Sequence, residues 1–250
     1  MSLDVFTLRE RPELREAIFS AAFRAPLWPE FTRHDRVAQF YYGSPYFDAY
    51  QDYAFAAVEN GAVVGRAFSV PVAFGIPGRA ELPDGGWDEV IRWAHDDRVA
   101  GHDATAVSAL EITVVAQGRG RGCSRVMLDA MRRNTRARGF ADLFAPVRPT
   151  EKARCPFMAM QDYVAAVQPD GLPQDPWLRT HVRAGGTIIK IASCSMVIAG
   201  TLAEWRAWTG LRFEKSGPIA LEGGLVPLHV SVEQDHAVYV EPNVWVHHRV

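Results

Sequence analysis

The sequence predicts a mixed α/β protein built around one sheet, on three observations. Strand-like and helix-like stretches alternate through the middle of the chain and strands follow one another at its ends. The run "VSALEITVVA" (Val107–Ala116) is apolar on both faces except at Glu111 and Thr113, as an interior strand is. The glycine–arginine turn "QGRGRG" then joins that strand to an amphipathic helix.

Taken in order, "RPELREAIFSAAFRA" (Arg11–Ala25) has helical periodicity, with Pro12 suited to a first turn. Two apolar runs within Tyr53–Phe74 flank "ENGA" and predict a hairpin turning at Asn60-Gly61. Glycines bound a helix over Gly85–Gly101. The helix at Ser124–Gly139 sets Val126, Met127, Ala130 and Met131 on one side and arginines on the other, and Gly139 ends it. "FADLFAPV" (Phe140–Val147) is a short apolar strand, with Pro146 and Pro149 limiting its pairing beyond the first residues. The Pro-rich stretch Arg148–Pro176 has the apolar content of a packed loop rather than a linker. Helix Asp175–Gly186, strand Thr187–Ile198 and helix Thr201–Gly210 precede strand-like C-terminal segments. We expect one domain over residues 1–250, with a core at about 53–198, N-terminal helices and a C-terminal extension at 199–250.

The 250 residues are 48% hydrophobic and 22% charged, with a net charge of −2 and scattered arginines. That balance gives no electrostatic footprint for nucleic acid or for an anionic membrane. No apolar run approaches the ~18–20 residues of a membrane span, and the N-terminus lacks a signal-peptide core. Cys123, Cys155 and Cys194 are odd in number and far apart, which argues against a disulfide framework and a zinc knuckle. Asp235-His236 and His247-His248 lack ligand spacing, so no metal is expected. The expected setting is cytoplasmic, with reduced thiols. The tryptophan-bearing C-terminal segments offer a surface for a homodimer.

The turn "QGRGRGCSR" fits neither of two phosphate-binding fingerprints. A P-loop needs lysine and then Ser or Thr after its last glycine, and Cys123 and Ser124 stand there. A dinucleotide fingerprint needs a third glycine where Arg125 stands. The local physics still favours an anion, because glycines let successive amides converge at the positive end of a helix. A plain strand-to-helix turn with solvated arginines is the alternative.

Gln117-Gly118-Arg119-Gly120-Arg121-Gly122 resembles the Q/R-x-x-G-x-G/A motif of the GNAT superfamily of N-acetyltransferases, in its place between a central strand and an amphipathic helix. The order of elements over Tyr53–Ile198 agrees. The resemblance implies a mainly antiparallel twisted sheet with a central splayed parallel pair and flanking helices. It also implies that acetyl-CoA is the acyl donor, gripped at its diphosphate by Gly118–Ser124, with backbone amides of Arg119, Gly120, Arg121, Gly122, Cys123 and Ser124 as donors and Gln117 opening the turn. The edge of Leu110–Val115 would pair with the pantetheine arm, and an amide near Ile112, Thr113 or Val114 would polarise the thioester carbonyl. The acceptor would be the amine of a small molecule.

Amine acetylation needs a neutral nucleophile, an oxyanion donor and a proton for the thiolate. Glu111 is the first candidate for base, as the lone carboxylate of an apolar run; isolation of that kind raises a carboxyl's proton affinity. The competing reading pairs it with an arginine or leaves it at the sheet surface. His181 is second. The family's helix after the splayed strand often ends Tyr-x-x-x-Gly-Phe, and here "HVRAGG" puts His181 where that tyrosine would stand. It would serve as acid, as base, or as a packed histidine. Cys123 reads as a small residue allowing close approach, and Trp28, Tyr41 and Tyr42 as core or cleft aromatics. The departure at His181 keeps open a protein that binds acyl-CoA as a sensor without transfer; a hydroxyl acceptor or longer acyl chain is a further alternative.

Overall fold

A computed structural model of the chain describes residues 3–23, 28–43 and 45–250. In chain order its strands are β1 (Leu3–Thr7), β2 (Ala54–Glu59), β3 (Ala62–Val72), β4 (Ala106–Val114), β5 (Asp142–Val147), β6 (Thr187–Thr201), β7 (Gly217–Ile219), β8 (Leu228–Ser231) and β9 (His236–Arg249). The helices are α1 (Arg15–Ile18), α2 (Arg36–Gly43), α3 (Pro45–Asp48), α4 (Gly86–Ala100), α5 (Cys123–Ala137), α6 (Met160–Ala165), α7 (Pro176–Arg183) and α8 (Leu202–Thr209), with short 3-10 turns between them.

One mixed sheet runs β1-β2-β3-β4-β5-β9-β8-β7, and β6 pairs with the free side of β9. Every pairing is antiparallel except β4 with β5. That parallel pair meets only at Val107↔Leu143 and Ser108↔Phe144, after which the strands part. On its other side β5 stays paired to β9 through Pro146 and Val147, so the prolines do not end the strand; pairing stops only along the β4 side. β9 belongs to the segment read from sequence as an extension, yet it lies at the middle of the sheet, between β5 and β6.

Alternation along the strands sends side chains into two cores. Phe68, Val70 and Val72 of β3 join α2, α4 and α8 on one face. Ala67, Met127, Met131 and Leu178 pack on the other face with α5 and α7. Helix α8 is closed at its start by a reciprocal capping box between Thr201 and Glu204. The β2–β3 turn falls at Asn60-Gly61, as the sequence requires.

The N-terminal segment departs from expectation. Periodicity predicts one helix over Arg11–Ala25, whereas the chain makes a 3-10 turn at Pro12–Leu14, one turn of α1 and a second 3-10 turn at Ala21–Phe23. Arg24 and Ala25 lie outside the described residues. The helix stops where the carbonyl of Ile18 accepts from the buried guanidinium of Arg66 at 2.9 Å, a tertiary demand that local periodicity does not encode. The stretch 148–176 is anchored at a few buried residues, while Phe157, Met158 and Val167 are exposed. Lys152, Met160 and Tyr163 are buried, and Asp175 caps α7 while accepting from the Tyr163 hydroxyl at 2.8 Å.

Candidate active site

A cavity of about 860 Å³ opens where β4 and β5 part. It is walled by β4 from Ala109 to Val114, by the turn from Gly118 to Ser124, by β5 from Ala145 onward, and by residues of the N-terminal segment, α2, β6 and β9.

At one end lies the turn. Its first two amides are spent locally: Gly118 donates to the Val115 carbonyl at 2.9 Å and Arg119 to Ala116 at 3.2 Å. The Arg119 amide is therefore removed from the expected donor set. Among the described residues, the amides of Gly120, Arg121, Gly122, Cys123 and Ser124 have no protein acceptor. Gly120 and Gly122 make this arrangement with φ of +74° and +77°, a left-handed backbone that other residues adopt only with strain. Gly122 is also the residue before α5, so the free amides lie at the start of a helix, whose positive end favours an anion.

The side chains of the turn do not follow the amides. Arg121 pairs with Glu59 at 2.7 Å and donates to the Gln117 carbonyl, and neither Arg121 nor Gln117 lines the cavity. Arg119 reaches back to the Val114 carbonyl at 3.3 Å. Cys123 is buried, and burial pushes its thiol up from its ordinary value, the opposite of an activated nucleophile. It fits as the small residue packed beside Gly65.

Further along, β4 bulges at Leu110, since Phe68 faces Glu111 while Ser69 faces Ala109. The Leu110 carbonyl accepts from the Trp87 indole at 2.9 Å, which fixes the bulge. Beyond it Glu111 and Thr113 share one face of β4, and Arg66 sits opposite Thr113 in the register. Glu111 Oε1 accepts from Arg66 Nε at 2.6 Å and from Thr113 Oγ1 at 2.5 Å; Oε2 accepts from the Tyr42 hydroxyl at 2.8 Å. The expectation that Glu111 stands isolated is thus corrected. A charge buried in a sheet needs a partner, and β3 supplies one. Arg66 is itself held between the rings of Phe23 and Phe68, 5.4 and 5.3 Å from their centroids.

His181 reaches the cavity from α7 but is 2% exposed. Its Nδ1 lies 2.9 Å from His248 Nε2, and the Trp177 ring meets it edge-on. Burial, with His248 adding to it, pushes its pKa down to about 3. At neutral pH the ring carries no charge, so the imidazolium acid suggested by sequence is corrected to a neutral imidazole bound to a second one. The other histidine pairing, His247 with Asp142 at 2.7 Å, is remote from any metal geometry, and no group of three metal-ligating side chains occurs among the described residues.

At the far end, Arg148 donates to Glu241 through Nε at 2.8 Å and Nη2 at 3.1 Å, and to the Gly223 carbonyl at 2.7 Å. Tyr239 completes the cluster with a 2.6 Å hydroxyl bond to Glu241, and Arg148 lies over Trp28 at 5.9 Å. The aromatics divide: Trp28 and Tyr42 line the cavity, and Tyr41 is core. Sequence reasoning missed Arg66, Trp87 and the Arg148–Glu241 pair. The available signal was complementary charge: Arg66 and Glu241 are lone charges in apolar runs, as Glu111 is.

No family model matches the chain. Over 272 aligned residues it is 33% identical to the arginine N-acetyltransferase avaD of Aspergillus versicolor, covering 98% of this chain and 93% of that protein. Two solved structures share the fold along the full chain. The loading GNATL domain of CurA from Lyngbya majuscula is 14% identical with a TM-score of 0.57, covering 100% of this chain and 98% of that one. The GNAT-like decarboxylase GphF, in complex with isobutyryl-CoA, is 18% identical with a TM-score of 0.54, covering 100% and 99%. Among the described residues no helix is long and apolar enough to cross a membrane. With the parted parallel pair, the free-amide turn and this full-length likeness together, the chain belongs to the GNAT superfamily of N-acetyltransferases, enzymes that transfer an acetyl group from acetyl-CoA to an amine.

Proposed function

We propose that the whole chain acts as one acyltransferase domain that acetylates a nitrogen of arginine or of a small molecule carrying an arginine-like cation. Acetyl-CoA supplies an activated acyl carbon when bound. The residues present fit it. Five successive amides without a protein acceptor at Gly120–Ser124 suit its diphosphate, and the β4 edge at Ile112, Thr113 and Val114, free of β5, suits an extended amide-bearing arm. Glu111 is the terminal acceptor for the proton that the amine must lose, and His181 holds the wall of the site. Three free cysteines suit a reducing, cytoplasmic setting.

The acceptor class rests on the full-length likeness to an arginine N-acetyltransferase and on the cavity wall. Phe19, Trp28 and Trp87 line it, and guanidinium planes stack on such rings. Arg148 and Arg66 already do so within the protein.

The observation that carries the proposal is a continuous cavity with free amides at one end and the Tyr42–Glu111–Arg66 cluster on its wall. The test is acetyl-CoA turnover, followed as thiol release and product mass, across arginine, agmatine, Nα-acetylarginine and lysine. Faster acetylation of the guanidinium compounds than of lysine is expected, and the two blocked or truncated forms identify the nitrogen. CoA binding without thiol release from any of them would identify a sensor instead.

A further inference from the structure

Glu111 cannot meet the acceptor alone. Its side chain is 5% exposed, and both oxygens are already engaged. Oε1 takes Arg66 and Thr113, and the bond on Oε2 comes from Tyr42, a half-buried residue that lines the same cavity. A hydroxyl that donates to the carboxylate keeps its oxygen lone pairs for a donor on its other side.

The phenol is also held in place. Tyr42 lies in the last turn of α2, whose start is fixed by Asp35 accepting from the Ala38 amide at 2.7 Å. Its ring packs edge-on against Phe68 at 5.5 Å and against Tyr41 at 4.9 Å. Burial, reinforced by the Glu111 charge, keeps its pKa far above the ordinary phenol value, so the group stays protonated at working pH. A relay needs that property: it must hold its own proton until another arrives.

We propose that Tyr42 is a catalytic residue, whose phenol oxygen takes a proton from the acceptor's ammonium as its own proton passes to Glu111 Oε2, freeing the amine to attack. This rests on the reading of Glu111 as terminal acceptor. In the balanced step the acceptor's ammonium gives one proton to Tyr42 as the Tyr42 proton moves to Glu111 and then to solvent, leaving a neutral amine. Its lone pair forms the C–N bond to the acyl carbon, and the C–S bond breaks with its electron pair leaving on sulfur. The second nitrogen proton goes to solvent and the thiolate gains one from solvent, giving amide, free thiol and one released proton. Arg66 and Thr113 are positioning residues that aim the carboxylate.

The test is Tyr42→Phe, with Tyr41→Phe as control; Tyr41 is buried in the adjacent core and its hydroxyl has no partner among the described residues. Both variants are first checked for melting temperature and for CoA affinity by calorimetry, which should stay within about twofold of wild type. At pH 7 the Tyr42 variant should lose about 10²-fold in kcat, at the lower end of general acid–base effects, with little change in KM for arginine. Its rate should then rise about tenfold per pH unit from 7 to 9 as the free amine becomes available, while wild type levels off. Its deficit should shrink for acceptors that are neutral at pH 7, such as hydroxylamine.

A loss equal at every pH and for every acceptor would make Tyr42 a structural support and overturn the relay. So would an unchanged kcat in Tyr42→Phe alongside an inactive Glu111→Gln, which would leave Glu111 as direct base. Full activity in both variants would remove Glu111 and the relay together. A wild-type protein inactive on every amine would instead overturn the proposed function, and the relay with it.

Discussion

Glu111 and His181 show how neighbours decide what a titratable side chain can do. Glu111→Gln keeps the bond from Arg66 through its amide oxygen but leaves the buried guanidinium without a counter-charge, so its melting temperature should fall while the fold is kept. Turnover of Glu111→Gln should fall by about 10²–10⁴ while CoA affinity changes little; a near-native pH–rate profile would leave Glu111 structural. The histidine pair makes a separate prediction. Burial holds His181 down to about 3 and His248 to about 4, both below the ordinary 6.5. A depressed base stabilises the fold above its unfolded value and loses that contribution as pH falls through the folded one. Stability should therefore drop as pH falls from 6.5, down to about 4 through His248 and on toward about 3 through His181. Denaturant titrations of the double variant His181→Gln/His248→Gln should lack this slope. At this scale the sequence exposes Glu111 as a lone carboxylate, but its partner lies 45 positions away on β3. Only the strand register, with its bulge at Leu110, brings the two together.

Elements with strong local signals were legible: the Asn60-Gly61 hairpin, the helices now α4, α5 and α8, and the interior strand β4. The N-terminal helix was not, because Arg66 captures the carbonyl at which it would continue. The turn after β4 was legible as an anion site, though its donors begin at Gly120 and not at Arg119. Gly120→Glu has space, since nothing lies within 4 Å of the added Cβ, but φ of +74° strains any side chain there, so Gly120→Ala is the control that separates strain from charge. The negative charge beside the free amides should weaken CoA binding at least tenfold, about 1.4 kcal/mol; unchanged calorimetric affinity would reject the nest. A second element-scale device joins α2 to α4. Asp35 and Asp88 are both buried, and Asp88 is pushed up to about 8 by burial and by the Asp35 charge, while Arg92 and the Val197 amide favour its anion. A raised acid stabilises below its unfolded 3.8 and loses that contribution as pH climbs through the folded value. Asp88→Asn, which can donate to Asp35, should therefore melt higher than wild type at pH 8 to 9, and by less at pH 5. This slope opposes that of the histidines where their windows overlap, so the variants resolve what the wild-type curve conceals.

For the whole molecule, the sequence indicates a mixed sheet around one interior strand but not the strand order. The decisive strand is β9, which pairs with β5, β6 and β8 although its sequence reads only as a C-terminal stretch of alternating residues. Non-local pairing of that kind leaves no local mark. Its consequence is functional: β9 carries Glu241 and Asn243 to the cavity wall, and β5 leans toward it and away from β4. The splay, the cavity and the free amides are one feature seen at three scales. Hydrogen exchange of the full chain with and without CoA tests that unity most directly. The account predicts new protection concentrated at the turn over residues 120–124 and along β4 at 111–114, with the surface hairpin β7–β8 unchanged. Saturating CoA that leaves the amides of Gly120–Ser124 exchanging at their free rate would contradict it.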